Sequence, residues 1–387
     1  MHIVHIVTRL LRAGSEENTV ATCRWQADAG HRVTLIHGRD WDPYWASNLP
    51  AGVARLTLPE MVHPLRPWHD LRALRALRAT LRDLAPDVVH THQSKAGILG
   101  RLATVAVPQA LVVHGIHILP FEGVGPVRAA IYRGAERVAA RHTDLFIGVS
   151  EAAGQAYVDA GIALADRVHC VRSGMDLDRF SAPCPPDDGP QLLGAASPRP
   201  RVLLMMAAFE PRKRHIPFLE AYARIASTIP DVKLLFAGTG PEEAQVRAAV
   251  TRLGLQDTVV FCGHRPDPEA LFALADLSLL TSEREGLPRV VVQSVAAGCP
   301  VVVQDLPGIG EVVQHNCNGL IADPDDMDAV ARAVVSLLGD PQRLARLRNG
   351  ALATDLSAWT LDALGARTTA LYHGDTAAYV DGRLAPA

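Results

Sequence analysis

The chain has 387 residues, 48% hydrophobic and 20% charged, a length beyond one compact domain and a composition that excludes a disordered protein. Its formal net charge of -3 supplies no global field for nucleic acid, so no nucleic-acid partner is expected. Nearly all basic side chains are Arg, and Lys95, Lys213 and Lys233 are the three lysines.

The six cysteines lie far apart with no C-x-x-C pair, which argues against a zinc site or a disulfide framework and fits a reduced cytoplasm. The opening MHIVHIVTRLL is too short and too interrupted by His and Arg for a signal peptide. The longest apolar stretch, 289–303, is broken by Gln293 and Ser294 and is too short to span a bilayer. A soluble protein is expected, one that is able to rest on a membrane surface.

Along the chain, short β-branched runs alternate with longer helical patterns. IVHIV (3–7) reads as a strand, 16–29 as a helix ending near Gly30, and RVTLIHG (32–38) as the next strand. An Arg/Leu helix over roughly 69–84 precedes DVVHTH (87–92), and ALVVHG (110–115) and DLFIGVS (144–150) continue the series. Such alternation predicts βαβ units and a parallel sheet with helices on both faces. The Pro-, Gly- and Asp-rich segment around 183–199 reads as a linker. Beyond it the alternation restarts with 201–209, 232–238, 259–263, 277–281 and 300–305 as strands. The expected organisation is therefore α/β: a first Rossmann-like doubly wound domain over 1–182, the linker, and a second over 200–356. A C-terminal helix and tail at 357–387 would return to the first domain. Ligands of open α/β sheets bind beyond the carboxyl ends of the strands, so two facing sheets would place a site in an interdomain cleft.

Four clusters follow strands. RLLRAGSEEN (9–18) puts Gly14 in a turn through which backbone amides approach a phosphate or a sugar. HTHQSKAG (90–97) and VVHGIH (112–117) bring His90, His92, Lys95, His114 and His117 to neighbouring strand ends. No carboxylate is interleaved among these histidines, so no metal is expected, and His114 is singled out because the following glycine would leave room for a ligand. MMAAFEPRKRH (205–215) sets Arg212, Lys213 and Arg214 after a strand as a candidate diphosphate clamp, against the plainer reading of a solvated charge run. In TSEREGLPRVVVQSVAAGCPVVV (281–303), Glu285, Gly286, Leu287 and Pro288 precede a helix whose N-terminal amides suit phosphate or sugar oxygens, and Gln293 follows on the helix.

Taken with VRSGMDLDRF, LLFAGTGPE, VVFCGHRPD and PGIGEVVQHNCNGLI, these segments resemble, in order and spacing, the family 4 retaining glycosyltransferases of the GT-B fold, over about 370 residues. The resemblance implies that Glu285 contacts the donor sugar and Lys213 the diphosphate. Gln293 stands where the family has a ribose-binding Glu, and Ala208 where it has an Arg. His114 would lie near the reacting sugar, and Arg265 with His264 would edge the nucleotide base. Gly14 would border the donor and Lys95 the acceptor entrance. A nucleotide-sugar donor, UDP- or GDP-linked, would give a hexose or N-acetylhexosamine to a saccharide or lipid-linked acceptor, in polysaccharide biosynthesis, without a metal or other cofactor. Two rivals share the architecture: a sugar-nucleotide epimerase, which would want more strand-end carboxylates, and a non-catalytic sugar-nucleotide-binding subunit, which Ala208 and Gln293 keep open. Residues 1–150 carry seventeen Lys/Arg against twelve Asp/Glu, and the 65–84 and 128–141 segments form a basic face on which peripheral contact with anionic lipid is expected.

Overall fold

The computed structural model describes residues 1–194 and 198–375. Residues 195–197 of the expected linker and 376–387 of the expected tail lie outside the described residues. The chain divides into two compact units, Met1–Met175 with the segment that begins at Ser357, and Asp176–Leu356. The first unit thus ends at Met175, before the expected 182. The described linker residues belong to the second unit, because Phe180 and Leu193 bury against Leu274 and Leu271 there.

The first unit is built on β1 (His2–Val7), β2 (Arg32–His37), β3 (Val53–Thr57), β4 (Val88–His92), β5 (Leu111–Ile116), β6 (Leu145–Gly148) and β7 (Val168–Cys170). All pair in parallel, in the order β3-β2-β1-β4-β5-β6-β7. The edge strands β3 and β7 add to the predicted set. Both are short and poor in buried apolar residues, so neither carries the signal of a central strand. The second unit holds β8 (Arg201–Met206), β9 (Val232–Ala237), β10 (Val259–Gly263), β11 (Leu277–Leu280), β12 (Val301–Gln304) and β13 (Gly319–Ala322), again parallel, in the order β10-β9-β8-β11-β12-β13. The order reverses between β1 and β4 in one sheet and between β8 and β11 in the other, and such switch points open a crevice at the strand ends.

Alternation along β1 sorts the first core. Val4 and Ile6 pack with Val89, Leu77, Leu81 and Leu99, while Ile3 packs with Val88, Val113, Leu364 and Leu371. The last two come from the Leu361–Tyr372 helix, which lies on the first unit against the Gly14–Asp28 helix. Gly365 permits this approach, since a Cβ there would fall 2.1 Å from the Trp25 ring.

On the same face as Ile3 the sheet buries a chain of imidazoles. Gln26 donates its amide N–H to Thr369, so its oxygen faces His5 Nε2 at 2.8 Å. His5 Nδ1 lies 3.0 Å from His92 Nε2, and His92 Nδ1 lies 3.0 Å from His117 Nε2. With Gln26 accepting from His5, three neutral rings close the chain, each accepting from the next. His90 Nδ1 meets the Tyr372 hydroxyl at 2.6 Å. Burial lowers His5 and His117 to about 4. Burial, with the neighbouring rings, lowers His90 and His92 well below the usual histidine value.

A histidine with a folded-state value lowered in this way takes up its proton more readily when unfolded, so its stabilising contribution is complete above about 6.5 and erodes as pH falls towards 4. Each such ring costs roughly 1.4 kcal/mol per pH unit across that window. Calorimetry from pH 8 to pH 5 should therefore show the melting transition of the first unit falling steeply below pH 6.5. A transition flat across that window would contradict the neutral chain.

Candidate functional site

The densest charge cluster stands at the switch point of the second sheet. After β8 the chain runs through Ala207 and Ala208 into a 3-10 turn, Pro211–Lys213, and Arg214 takes a left-handed conformation (φ 59°) before the His215–Thr228 helix begins. This turn is tied to the segment after β11 by two hydrogen bonds: Glu283 N–H donates to Arg212 O (2.8 Å) and the Thr281 hydroxyl to Lys213 O (3.0 Å). Two cations thereby converge on one carboxylate. Lys213 Nζ bonds Glu285 Oε1, and Arg212 Nη1 lies 3.1 Å from Glu285 Oε2. Arg212 Nε also donates to Glu210 at 2.8 Å. Arg214 turns away and pairs with Asp325. Burial alone would raise the Glu285 carboxyl, but Lys213 and Arg212 outweigh it and hold the group below the usual glutamate value. The result is a half-buried site in which two cations are held close together by Glu285 and Glu210, an arrangement that an anion with hydroxyl groups can take over.

The segment beyond Glu285 differs in detail from expectation. Pro288 occupies the cap position before the Arg289–Ala296 helix and not its first turn, and its carbonyl accepts from Val291 N–H at 2.9 Å. Leu287 is buried, and Gly286 lies between it and Glu285 at the helix approach. Gln293 sits half-buried in the second turn of this short helix. Arg265 is committed elsewhere: its guanidinium is forked onto Asp188 (2.6 and 3.1 Å) and Asp267 (2.8 and 2.7 Å), so it fastens the Gly189–Leu193 region to the loop after β10.

In the first unit Gly14 is the first residue of its helix, after Ala13 in extended conformation. Beside it are two residues that the sequence reading missed. Glu16 is buried, its carboxyl raised by burial, and accepts the Ser15 hydroxyl at 2.5 Å. Gln93, at φ 63°, accepts Thr8 N–H at 3.0 Å and donates to Ser15 Oγ at 3.4 Å. A signal was available in the two consecutive acids in the first turn after a glycine. Lys95, expected at the acceptor entrance, places its ammonium on Asp70 (2.5 Å), Val62 O (2.7 Å) and Pro64 O (2.5 Å), where it pins the chain ahead of the Pro67–Leu84 helix.

His114 is buried, its Nδ1 3.0 Å from the Thr91 hydroxyl, between the Phe146 and Tyr157 rings. The room ascribed to Gly115 serves other rings: a Cβ there would sit 2.9 Å from His92 Nδ1 and 3.2 Å from both His90 Nε2 and His117 Nε2. One nitrogen each of His5, His90 and His92 lies within 4.8 Å of the others, a convergence the sequence did not suggest. Among the described residues no carboxylate or thiolate joins that group, and the His5–His92 hydrogen bond already occupies two of its nitrogens.

The model of the family described as Glycosyltransferase Family 4 matches residues 12–179, and that described as Glycosyl transferases group 1 matches 194–353. The chain is 24% identical over 296 residues to the UDP-Gal:alpha-D-GlcNAc-diphosphoundecaprenol alpha-1,3-galactosyltransferase of Escherichia coli, covering 76% of each protein. It is 29% identical over 286 residues to the D-inositol 3-phosphate glycosyltransferase of Thermobispora bispora, covering 69% of this chain and 65% of that one. The crystal structure of Anabaena HepE in complex with UDP and glucose superposes with a TM-score of 0.81 at 22% identity, over 97% of this chain and all (100%) of that one. With two parallel Rossmann-like sheets, and with two family models that between them span most of its length, the chain belongs to the family 4 glycosyltransferases of the GT-B fold.

Proposed function

We propose that the protein transfers a hexose or N-acetylhexosamine from a UDP- or GDP-sugar, with retention at the anomeric carbon, to a hydroxyl of a saccharide or lipid-linked acceptor. The observation that carries this reading is the pair of cations, Lys213 and Arg212, gathered on the half-buried Glu285 at the switch point of the second sheet. A nucleotide diphosphate would compete with Glu285 for both cations. As it takes them over, the carboxylate is released to accept hydrogen bonds from hydroxyls of the donor sugar.

Neutralising the departing diphosphate is the largest electrostatic demand of such a reaction, and fixed cations answer it without a metal. Donor turnover should accordingly survive EDTA. Gln293 would hydrogen-bond the ribose without charge, and Arg212 would stand in for the cation missing at Ala208. His114 would act on the sugar that reacts. Gly286, Leu287 and Pro288 would supply backbone close to donor oxygens. Because Arg265 is locked between two aspartates, its part in the donor site is confined to shaping the loop after β10.

The acceptor reading draws on the E. coli relative, whose name specifies a diphosphoundecaprenol-linked substrate. It also draws on the surface of the Pro67–Leu84 segment, where Leu65 and Trp68 are 69% and 80% exposed beside Arg66, Arg72 and Arg75. No helix among the described residues is long and apolar enough to cross a membrane. Peripheral contact with anionic lipid at the cytoplasmic face fits these features. The protein should cosediment with phosphatidylglycerol vesicles at low salt and release as salt rises, and failure to do so would remove the lipid contact.

Thermal-shift measurements with UDP-, GDP-, ADP- and TDP-sugars test the donor site. One nucleotide class should raise the melting point of the wild type and lose that effect in Lys213→Ala. No shift at millimolar concentration with any of them would leave a non-catalytic role. In Glu285→Gln the two cations lose their carboxylate, so the free nucleoside diphosphate should bind at least as tightly as in the wild type while sugar transfer falls by a hundredfold or more. Weakened binding of the diphosphate in that variant would contradict the proposed competition.

A further inference from the structure

Behind His114 the first unit buries a complete ion pair. Arg101, on the Ser94–Ala103 helix, reaches Glu136, on the Pro126–Ala140 helix, at 2.5 Å, and neither side chain has any exposed surface (0% each). Arg101 Nη1 and Glu136 Oε1 have no hydrogen-bond partner among the described residues. Such a pair is a poor source of stability, since removing two charges from water costs as much as their attraction returns, and packed apolar side chains often serve better. Its geometry points to another use.

Arg101 Nε donates to Gly97 O at 2.7 Å. At Gly97 the helix backbone is pressed directly against the catalytic candidate: a Cβ there would lie 2.6 Å from His114 Cε1 and 3.6 Å from Arg101 Nη2. The guanidinium thus fixes the stretch of backbone that the imidazole leans on. Phe146 and Tyr157, each 6.2 Å away between centroids, and Thr91 flank the ring. The Thr91 hydroxyl donates to Val113 O at 3.2 Å, so it accepts from His114 Nδ1–H, and His114 Nε2 keeps its lone pair. A sugar hydroxyl would donate to that nitrogen.

We propose that Arg101, anchored by Glu136, is a positioning residue for the sugar-transfer reaction: it holds His114 in a single orientation, neutral and with Nε2 unprotonated. The inference rests on the reading of His114 as a residue of the reacting-sugar site. Burial first, and then the Arg101 charge, keep the imidazole from protonating, with His90 and His117 adding to the effect and a hydrogen bond to the Thr91 backbone opposing it. Glu136 compensates the guanidinium, so that Arg101 stays seated beside a group it repels when charged. The remaining groups that face the ring, Tyr157 and Thr91, are neutral.

The test is 15N NMR of the histidine rings together with donor hydrolysis, on full-length protein. In the wild type His114 should show one neutral tautomer, protonated at Nδ1, from pH 8 to pH 6. The double variant Arg101→Met with Glu136→Leu replaces the pair by apolar side chains and should fold. In it His114 should populate both tautomers and its titration should move upward by a pH unit or more. Its kcat for hydrolysis of UDP-glucose, or of GDP-mannose where only GDP-sugars stabilise the protein, should fall at least tenfold, with KM for the donor within twofold. Arg101→Lys, which keeps the charge but loses the fork, carries the same measurement should the double variant not fold, and there His114 should stay neutral yet sample both tautomers. Wild-type His114 signals in either folded variant would overturn the proposal. Altered ring signals with unchanged kcat would overturn the role of His114 in the reaction. Absence of donor turnover in the wild type itself would instead count against the transferase reading, and the NMR result alone would then decide whether Arg101 positions the ring.

Discussion

All thirteen strands among the described residues run in parallel within their sheets, and the placement of the polar chemistry follows from that one constraint. A parallel strand cannot return by a hairpin, so every connection crosses over and every carboxyl end in a sheet faces the same way. Where the strand order reverses, two neighbouring connections leave in opposite directions and the backbone parts. Gly14, Gln93 and Lys95 follow β1 and β4, and Lys213 and Glu285 follow β8 and β11. Residues separated by about seventy positions meet there because topology delivers them, and the hydrogen bonds from Glu283 and Thr281 fix the register of that meeting.

The two switch points hold their polar groups by different means. Around β1 and β4 the first uses imidazoles that remain uncharged, each satisfying the next, so that its centre bears little net field. The second gathers formal charge, with Lys213 and Arg212 set against Glu285 and Glu210. Hydrogen-bonded neutral groups tolerate a dry sheet face, whereas a cluster of ionised groups is best placed near solvent or an exchangeable ion. Lys213 and Glu285 retain about a tenth of their surface exposed (12% and 10%), which suits a place where a charged molecule arrives.

Much of this was legible in the sequence. Central strands announce themselves as β-branched runs because both faces of a parallel sheet are buried, and IVHIV, DVVHTH and PVVVQD all read that way. The order of motifs around FEPRKRH and EGLPRVVVQ located the cationic turn and its carboxylate. What escaped was decided by side-chain geometry. Lys95 stands where an acceptor-side cation would be sought, but three oxygens that no local pattern reveals absorb its charge. Arg265 is claimed by Asp188, 77 positions away. The imidazole chain joins His5 to His92 across 87 positions, and only the β1–β4 register makes them neighbours.

The Leu361–Tyr372 helix carries a consequence for how the molecule comes to exist. It covers the sheet face that holds Ile3, Val88 and His90, yet it is synthesised after the whole of the second unit. Until it emerges, the first unit has an uncovered apolar surface and an unfinished polar contact at His90, although its strands have long been made. The second unit is contiguous, Asp176–Leu356, and the buried residues of its main core lie between Leu203 and Leu347. Order of synthesis and order of completion are therefore inverted: the half of the protein made first is the half finished last. A nascent chain arrested before Trp25 finds Gly365 would hold a finished second unit and an open first one, a state with the adhesive character that chaperones recognise.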